Sequence, residues 1–391
     1  MVDFSFSDEE KMLKKFALEF AEREITPKLN SMEETNETPM DVLKKMGDLG
    51  FGGVLVPEEY GGTDMGHVAR IALLEEIGTV SAALANVLQV HHLGQSPVIY
   101  FGTEEQKKKF LPSTSTLEHI AGLAVTEASG GSDPLGGKTT ARKEGDVYIL
   151  NGEKSFITNS SISHFMGITA IDEEQTKIRG RTRLSCFILE RGTKGFRAGY
   201  HEDLFGLRGS DTGELVIEDC EVPVENLIGG AGSGMRVALT CISHVGRPGI
   251  GASALGIARK SLEEAVRYSN ERKIGGNPIS SFQLIQKHIS DMYIDYETSR
   301  WAAYYAAWLR DKGLSRPDAE LALCKLLPTE AAVKNASRLI EIYGALGNDK
   351  GTLPQRLLRD AWPLISAAGT SEILRIVSAT DVLQGNAPRN I

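Results

Sequence analysis

The first third of the chain follows the period of α-helices. A capping box, Ser7-Asp8-Glu9-Glu10, precedes apolar residues that recur every three to four positions. Further amphipathic or apolar runs predict helices at about 41–49, 66–80 and 81–101. We therefore predict an N-terminal helical domain over residues 1–118.

The hydrophobic period changes to two between residues 119 and 231. Segments 147–150 and 154–158 are strand-like and flank Asn151-Gly152, a pair that is typical of a hairpin with a type I′ turn. Further strands are expected at 184–189 and 214–217. The pattern predicts a middle β domain of barrel or sandwich type over 119–231.

The helical period returns at about residue 232. Long amphipathic runs at 252–268, 282–309 and 319–344 favour a helical bundle, with Pro328 expected to interrupt the third run. The α, β and α blocks are segregated along the chain, which indicates an α+β fold rather than alternating βαβ units. We predict a C-terminal four-helix bundle over 232–391.

Composition narrows the function classes. The chain has 391 residues, 41% hydrophobic and 24% charged, as in ordinary globular enzymes. Its net charge of −9 argues against a nucleic-acid partner, and no apolar run approaches the length of a membrane span. The start lacks a signal-peptide pattern, so we expect a cytoplasmic protein. The four cysteines are spaced for neither disulfides nor a metal, and no metal site is predicted: Cys186, Cys220, Cys241 and Cys324.

Three motifs contain the candidate functional residues. The segment 123–133, Leu-Ala-Val-Thr-Glu-Ala-Ser-Gly-Gly-Ser-Asp, is rich in small residues that let a backbone approach a ligand closely. Lys154-x-Phe156-Ile157-Thr158-Asn159 follows it, and Arg359-Asp360-Ala361 precedes Gly369-Thr370-Ser371-Glu372 near the end. Together with the α, β, α order, these motifs resemble the signatures of the acyl-CoA dehydrogenase family over nearly the whole chain.

The resemblance implies FAD as cofactor and an acyl-CoA as substrate. The residues that it places at the cofactor are Leu123, Val125, Thr126, Ser132, Phe156, Ile157, Thr158, Arg272, Phe282, Gln283, Glu341, Gly344, Thr370 and Glu372. Ser132, Arg247 and Gly369 are expected to contact the substrate. In the family, the Arg and Gln at positions 272 and 283 contact the FAD of a neighbouring subunit, which implies a homo-oligomer, either a dimer or a tetramer. An electron-transfer flavoprotein is the implied redox partner.

The family's catalytic carboxylate is missing. The resemblance places that Glu at Ala368, or at Gly246 in the branched-chain type, and neither residue can titrate. Adjacent His91 and His92 lie in the segment that lines the acyl chamber, and an imidazole can exchange protons near neutral pH. They are the candidate bases, since family members that act on alicyclic thioesters place a base in this helix.

These observations leave several functions open. The leading expectation is an FAD-dependent acyl-CoA oxidoreductase for a cyclic or already unsaturated acyl group, with proton transfer relocated to His91 or His92. The alternatives are an enoyl-CoA reductase and an enzyme of decarboxylase or desulfinase type, in which bond cleavage supplies the carbanion. A non-catalytic acyl-CoA-binding protein is the alternative from another class.

Overall fold

The computed structural model describes residues 5–314 and 316–387. Up to Ser115 the described residues form six α-helices: α1 (Asp8–Phe20), α2 (Leu29–Thr35), α3 (Met40–Asp48), α4 (Gly66–Val80), α5 (Ala82–Phe101) and α6 (Glu104–Ser115). The predicted capping box is present at α1, where the Ser7 hydroxyl accepts from the amide of Glu10 and the Glu10 carboxylate accepts from the amide of Ser7. Helices α4 and α5 are almost entirely buried, so they form the centre of this region rather than its surface.

The middle of the chain is a mixed eight-stranded sheet. Its strands are β1 (Ala121–Ala124), β2 (Thr140–Glu144), β3 (Val147–Thr158), β4 (Phe165–Asp172), β5 (Leu184–Glu190), β6 (Phe196–His201), β7 (Thr212–Pro223) and β8 (Leu227–Ile228), with α7 (Glu173–Arg179) between β4 and β5. The strand order is β6-β7-β3-β2-β4-β5-β8, and β1 pairs in parallel with β4. Tyr148, Leu150, Ile168 and Phe187 belong to the core of this sheet.

The predicted hairpin at Asn151-Gly152 is wrong. This pair lies inside the continuous strand β3, where the ladder with β7 shifts register. The Asn151 side chain exchanges two hydrogen bonds with Asp219 of β7, at 3.1 and 2.8 Å, so the pair is held against a neighbouring strand. The chain reverses earlier, between β2 and β3, at Gly145-Asp146, where Gly145 has a φ of 60°.

The C-terminal region is helical. In chain order it contains α8 (Gly234–Cys241), α9 (Arg247–Glu271), β9 (Lys273–Ile274), β10 (Asn277–Pro278), α10 (Gln283–Asp311), α11 (Asp318–Tyr343), α12 (Leu353–Ser366) and α13 (Ser371–Leu383). Helix α11 packs against α9, α10 and α12. Pro328 lies inside α11 without ending it, so the predicted interruption is wrong. The helical, mixed-sheet and helical regions confirm the α+β fold.

Helix α5 joins the helical and β regions. A Cβ on Gly94 would lie 2.2 Å from the backbone nitrogen of Gly122, so only glycine lets α5 approach β1 this closely. Asn159 donates hydrogen bonds of 3.2 Å to the carbonyls of Val87 and Ala121, which ties the end of β3 to both elements. The candidate site lies at this junction.

Two properties bear on the expectations from composition. Within residues 5–314 and 316–387, no helix combines the length and apolar character that crossing a membrane requires. The four cysteines are buried as free thiols.

Candidate active site

Helix α5, the start of α9 and the loop between α12 and α13 meet at one point. A Cβ built on Gly246 would lie 3.6 Å from Leu93 Cδ1 and 3.7 Å from Ala368 Cβ, which is ordinary van der Waals contact. Ala368 adopts a φ of 53°, so the loop turns through the left-handed region there. The two residues that stand where the catalytic Glu was expected are therefore neighbours, and neither has an ionisable side chain.

Two buried basic residues, Lys325 and Arg247, contact the segments that carry Ala368 and Gly246. Lys325 of α11 donates to the carbonyl oxygens of Ile365 and Gly369 at 2.6 and 2.9 Å, which fixes the loop that carries Ala368. Burial lowers the pKa of Lys325 to about 7, and the charge of Arg247 acts in the same direction. Arg247 is buried and donates to the hydroxyl of Ser243 at 3.2 Å. Arg247 stays charged and cannot act as a base, while the two hydrogen bonds that Lys325 donates direct its Nζ toward carbonyl oxygens of the loop.

The β region presents a second surface to the site. The amide of Ser155 donates to the carbonyl of Thr126 at 3.0 Å, which places the end of β1 beside β3. The ladder between β3 and β7 shifts register between Lys154 and Ile157, so Phe156 is not paired with β7. Phe156 has a φ of 57°, and its side chain is 60% exposed. Thr158 is half-buried beside it, with its hydroxyl 3.4 Å from the Asn86 amide nitrogen. An exposed aromatic ring beside half-buried backbone and hydroxyl groups fits the planar ring of a flavin.

A buried ion pair anchors the loop between β1 and β2. Glu127 accepts from Lys154 Nζ at 2.7 Å and from the backbone amides of Lys138 and Thr139. Burial raises the pKa of Glu127, but the Lys138 amide and the Lys154 ammonium outweigh it and keep the pKa below its usual value. The loop, which includes the exposed Ser132, is thereby held on β3.

The two histidines are not arranged as bases. Both are fully buried. His91 accepts from the amide of Ala121 through Nδ1 at 3.1 Å, so its Nε2 carries the hydrogen and donates to the carbonyl of Thr114 at 2.9 Å. Burial lowers the pKa of His91 to about 4. His92 accepts from Arg70 through Nδ1 at 3.2 Å and donates through Nε2 to the carbonyl of Phe51 at 2.8 Å.

These contacts argue against the expected catalytic role of His91 and His92. All four ring nitrogens have protein partners, and burial, followed by the charge of Arg70, lowers the pKa of His92 well below its usual value. The physical reason is the packing of α5: its histidine-bearing faces turn toward the backbone of neighbouring segments. Sequence spacing could not separate these faces from the one that carries Leu93.

The residues expected to reach FAD from a neighbouring subunit lie at helix ends. Arg272 ends α9 and Phe282 precedes α10, with the β9–β10 hairpin between them, and both side chains are exposed. Thr370 caps α13 by accepting from the amide of Ile373 at 3.3 Å. Exposed positions at the other helix ends are Gln283, Glu341, Gly344 and Glu372. Their contacts with a cofactor stay predictions.

Sequence reasoning missed two groups of arginines. Arg181 and Arg183 line a hollow of about 330 Å³ with Leu135 and Met235, beside the loop that holds Ser132. The repeated arginines of 179–183 were a visible signal for an anion site. Arg70 is fully buried in α4, and its signal was an arginine within the largely apolar run 66–80.

Comparison with known proteins agrees with this geometry. Models of three acyl-CoA dehydrogenase domains match the chain: the N-terminal domain at residues 7–118, the middle domain at 122–220 and the C-terminal domain at 232–383. An acyl-CoA dehydrogenase of Bacillus subtilis (strain 168) is 40% identical over 383 residues, 97% of this chain and 99% of the relative.

Two further relatives extend the comparison. The acryloyl-CoA reductase (NADH) of Anaerotignum propionicum is 35% identical over 386 residues, 98% of this chain and 96% of the relative. The structure of an acyl-CoA dehydrogenase complexed with FAD from Bacillus anthracis is 31% identical, with a TM-score of 0.90 over 99% of this chain and 69% of that chain. The chain therefore belongs to the acyl-CoA dehydrogenase family and is an FAD-dependent oxidoreductase acting on CH–CH bonds.

Proposed function

We propose that this protein reduces an α,β-unsaturated CoA thioester, with the proton supplied by solvent rather than by a protein carboxylate. The observation that supports this proposal is the proximity of Gly246 and Ala368, the two expected base positions, neither of which has an ionisable side chain. The similarity to an acryloyl-CoA reductase is consistent with this direction.

Proton chemistry is compatible with the reductive direction. Oxidation of a saturated thioester begins with removal of a weakly acidic α-proton, and a positioned base accelerates such a step by roughly 10²- to 10⁴-fold. Reduction needs a proton donor instead of a base, because the α carbon becomes basic and takes a proton from water. In reverse, the same route would need hydroxide, which is scarce near neutral pH.

When bound in its reduced form, FAD would supply a hydride, which is two electrons and one hydrogen. A C–H bond forms at the β carbon while the C=C π electrons move to the α carbon and the thioester oxygen. Water gives a proton to the α carbon and leaves as hydroxide. An external donor, which we propose to be an electron-transfer flavoprotein, then replaces the two electrons.

The chain's own residues bind and orient the substrate in this scheme. Leu93 and Ala368 lie close to Gly246 and give this corner, where we place the reacting carbons, an apolar surface. Lys325 holds the Ala368 loop by its two carbonyl contacts. We assign the phosphates of CoA to the hollow at Arg181 and Arg183, because guanidinium groups pair with phosphate oxygens.

The expected relocation of the base to α5 loses its support, since both nitrogens of His91 and of His92 are hydrogen-bonded within the protein. A cyclic substrate that needs such a base is correspondingly less well supported than an enoyl thioester. Elimination of a carboxylate is also compatible with the lack of a base at Gly246 and Ala368, because bond cleavage would itself supply the carbanion.

We also propose that the protein is a homo-oligomer. Helix α10 exposes large apolar side chains that a single chain leaves in water: Leu284, Tyr293, Ile294, Trp301 and Trp308. Large exposed apolar surfaces are typical of protein interfaces. The exposed positions expected to contact FAD, Arg272 and Gln283, flank the start of this helix. Sedimentation analysis distinguishes a dimer or tetramer from a monomer.

Anaerobic flavin spectroscopy tests the reaction. The FAD-loaded protein should keep its visible absorbance when butyryl-CoA is added. After photoreduction, crotonyl-CoA should restore that absorbance. Rapid bleaching by butyryl-CoA would contradict the proposal, and so would failure of a panel of enoyl thioesters to reoxidise the flavin. Release of carbon dioxide from a carboxylated thioester would instead support elimination.

A further inference from the structure

Three arginines beside β5 have side chains without partners. Arg179 ends α7, and Arg181 and Arg183 follow it before β5 begins. Within the part of the chain that the structure describes, none of the three guanidinium groups forms a hydrogen bond or an ion pair. Arg183 is half-buried, and its Nε is buried without an acceptor. Because like charges repel and buried donors need acceptors, a bound anion would stabilise this cluster.

The arginines line two adjoining hollows. The larger is the hollow of about 330 Å³ at Arg181 and Arg183. The smaller has a volume of about 210 Å³, and its lining residues are Gln175, Arg179, Arg183, Ala231 and Gly232. Arg183 and Gly232 therefore belong to both hollows. The chain presents two positions for anions side by side.

A buried network fixes the walls of these hollows. Asp172 caps α7 by accepting from the amide of Gln175 at 2.9 Å, and it also accepts from the hydroxyl of Ser185 at 2.6 Å. The Ser185 oxygen in turn accepts from the amide of Gly232 at 2.8 Å. Asp172 and Ser185 are fully buried. Both carboxylate oxygens of Asp172 are thus used within the fold, and Gln175 and Gly232 are held in place before a ligand binds.

The larger hollow lies at a suitable distance from the reacting corner. Met235, on its wall, stands in the first turn of α8, and the helix continues through a π-helical turn at Ile242–Gly246 into α9. Met235 and Gly246 are about three turns apart on this helix, or roughly 16 Å. The pantetheine arm of CoA, from sulfur to phosphorus, has about thirteen bonds and spans roughly 15 Å when extended. A thioester at Gly246 would therefore bring the pyrophosphate of CoA to these arginines.

We propose that the smaller hollow binds the 3′-phosphate of CoA, so that Arg179 and Arg183 distinguish CoA from pantetheine carriers that lack this group. The inference rests on the proposed function in placing CoA at these arginines, and it separates the pyrophosphate, at Arg181, from the 3′-phosphate, at Arg179. The two groups are attached to one ribose, which agrees with hollows that adjoin and share Arg183. A phosphate monoester carries a charge of about −1.5 to −2 near pH 7, and its oxygens match the paired donors of a guanidinium.

Binding of acetyl-CoA and of 3′-dephospho-acetyl-CoA to the FAD-loaded protein tests the inference. An acetyl group has no β carbon, so it can neither reduce nor reoxidise the flavin, and the result stands apart from the direction of the redox reaction. We expect calorimetry to give a dissociation constant about 10- to 100-fold lower for acetyl-CoA, as for hydrogen bonds to a charged group. The ratio should fall as the salt concentration rises, because Arg179 is exposed.

Two variants separate the phosphate positions. Arg179→Gln should weaken the binding of acetyl-CoA by about 10-fold and leave that of 3′-dephospho-acetyl-CoA unchanged. Arg181→Gln should weaken the binding of both ligands alike. Arg197→Gln is the matched control, because it removes the same charge from an exposed position on β6, at the other side of the sheet from β5. It should change neither dissociation constant.

Equal affinities of the wild type for the two ligands would overturn the inference, and so would equal losses for both ligands in Arg179→Gln. If Arg181→Gln left the binding of both ligands unchanged, the CoA nucleotide would lie elsewhere and the assignment of both hollows would be wrong.

Discussion

The missing Cβ of Gly246 would lie 3.7 Å from the Cβ of Ala368. These residues belong to different elements, the turn before α9 and the loop after α12, yet both face the same space. A carboxylate carried by either residue would therefore reach the same point. The chain lacks it at both, and this shared absence determines the chemistry that we propose.

Ala368→Glu should restore oxidation of saturated thioesters. Ala368 already adopts a φ of 53°, so a Glu there adds no new backbone strain beyond that of the alanine. We expect butyryl-CoA to bleach the flavin roughly 10²- to 10⁴-fold faster than in the wild type. Stopped-flow absorbance measures the rate. Ala368→Gln, which has the same size without a base, should give no gain.

Gly246→Glu should give a gain of the same kind. The nearest atoms to its new Cβ lie at 3.6 and 3.7 Å, so the side chain can begin there without a clash. In the double variant the two carboxylates would share one space, which raises the pKa of one of them. The gains should therefore not multiply. A double variant whose bleaching rate is the product of the two single gains would contradict the proposed contact.

His91→Gln should affect stability more than catalysis. The substitution disturbs the hydrogen bonds to Ala121 and Thr114, and a buried group left unsatisfied costs about 1–3 kcal/mol. Because the pKa of His91 is about 4, its imidazole stays neutral above pH 5. The rate of reoxidation by crotonyl-CoA should show no inflection near pH 6.5 in either protein. A thousandfold loss of this rate at unchanged Tm would show that His91 is catalytic.

Lys154→Met should loosen the loop between β1 and β2. The change leaves the buried Glu127 carboxylate without its ammonium partner, and breaking a buried pair in this way costs about 3–5 kcal/mol. We expect a lower Tm and loss of FAD on gel filtration. Lys143→Met, on the exposed face of the adjacent β2, serves as the control. Full flavin retention and an unchanged Tm would contradict the role assigned to this pair.

Asp360 should lower the stability of the folded protein as the pH rises toward neutrality. Its carboxylate accepts from the amide of Leu207 at 2.7 Å, and burial raises its pKa to about 6. Since the folded pKa exceeds the unfolded one, this carboxyl favours folding at low pH, and that contribution is lost as the pH rises from about 4 through 6. The loss is about 3 kcal/mol at most.

Asp360→Asn should remove this dependence. The amide oxygen can still accept from Leu207, but it cannot ionise. The Tm of the variant minus that of the wild type should therefore increase between pH 4 and pH 7, as differential scanning calorimetry can measure. A difference that stays constant across this range would contradict the assigned pKa.

Periodicity was sufficient for most of the fold. The apolar runs predicted α4 and α5, which are buried on nearly all sides, and the helical period predicted the long helices of the C-terminal region. Local rules failed where tertiary contacts override them. Asn151 bonds to Asp219 across the sheet and Gly152 continues the strand instead of turning, while Pro328 fits inside α11.

The candidate site was also predictable from the sequence only in part. The family resemblance predicts Ala368 and Gly246 as the base positions, but their closeness in space depends on the packing of separate elements. For the two histidines, the sequence did not predict which way the side chains point. Their side-chain directions depend on the backbones of Phe51, Thr114 and Ala121, which lie far from them in sequence.

Exchange of the α-hydrogen of butyryl-CoA with D₂O shows whether a base acts on this carbon, because the exchange reports deprotonation without any redox step. Mass spectrometry of the recovered thioester gives the exchange rate. We predict that the FAD-loaded wild type exchanges no faster than buffer, while Ala368→Glu exchanges rapidly. Exchange by the wild type at the rate of Ala368→Glu would show that the protein has a base for this proton after all.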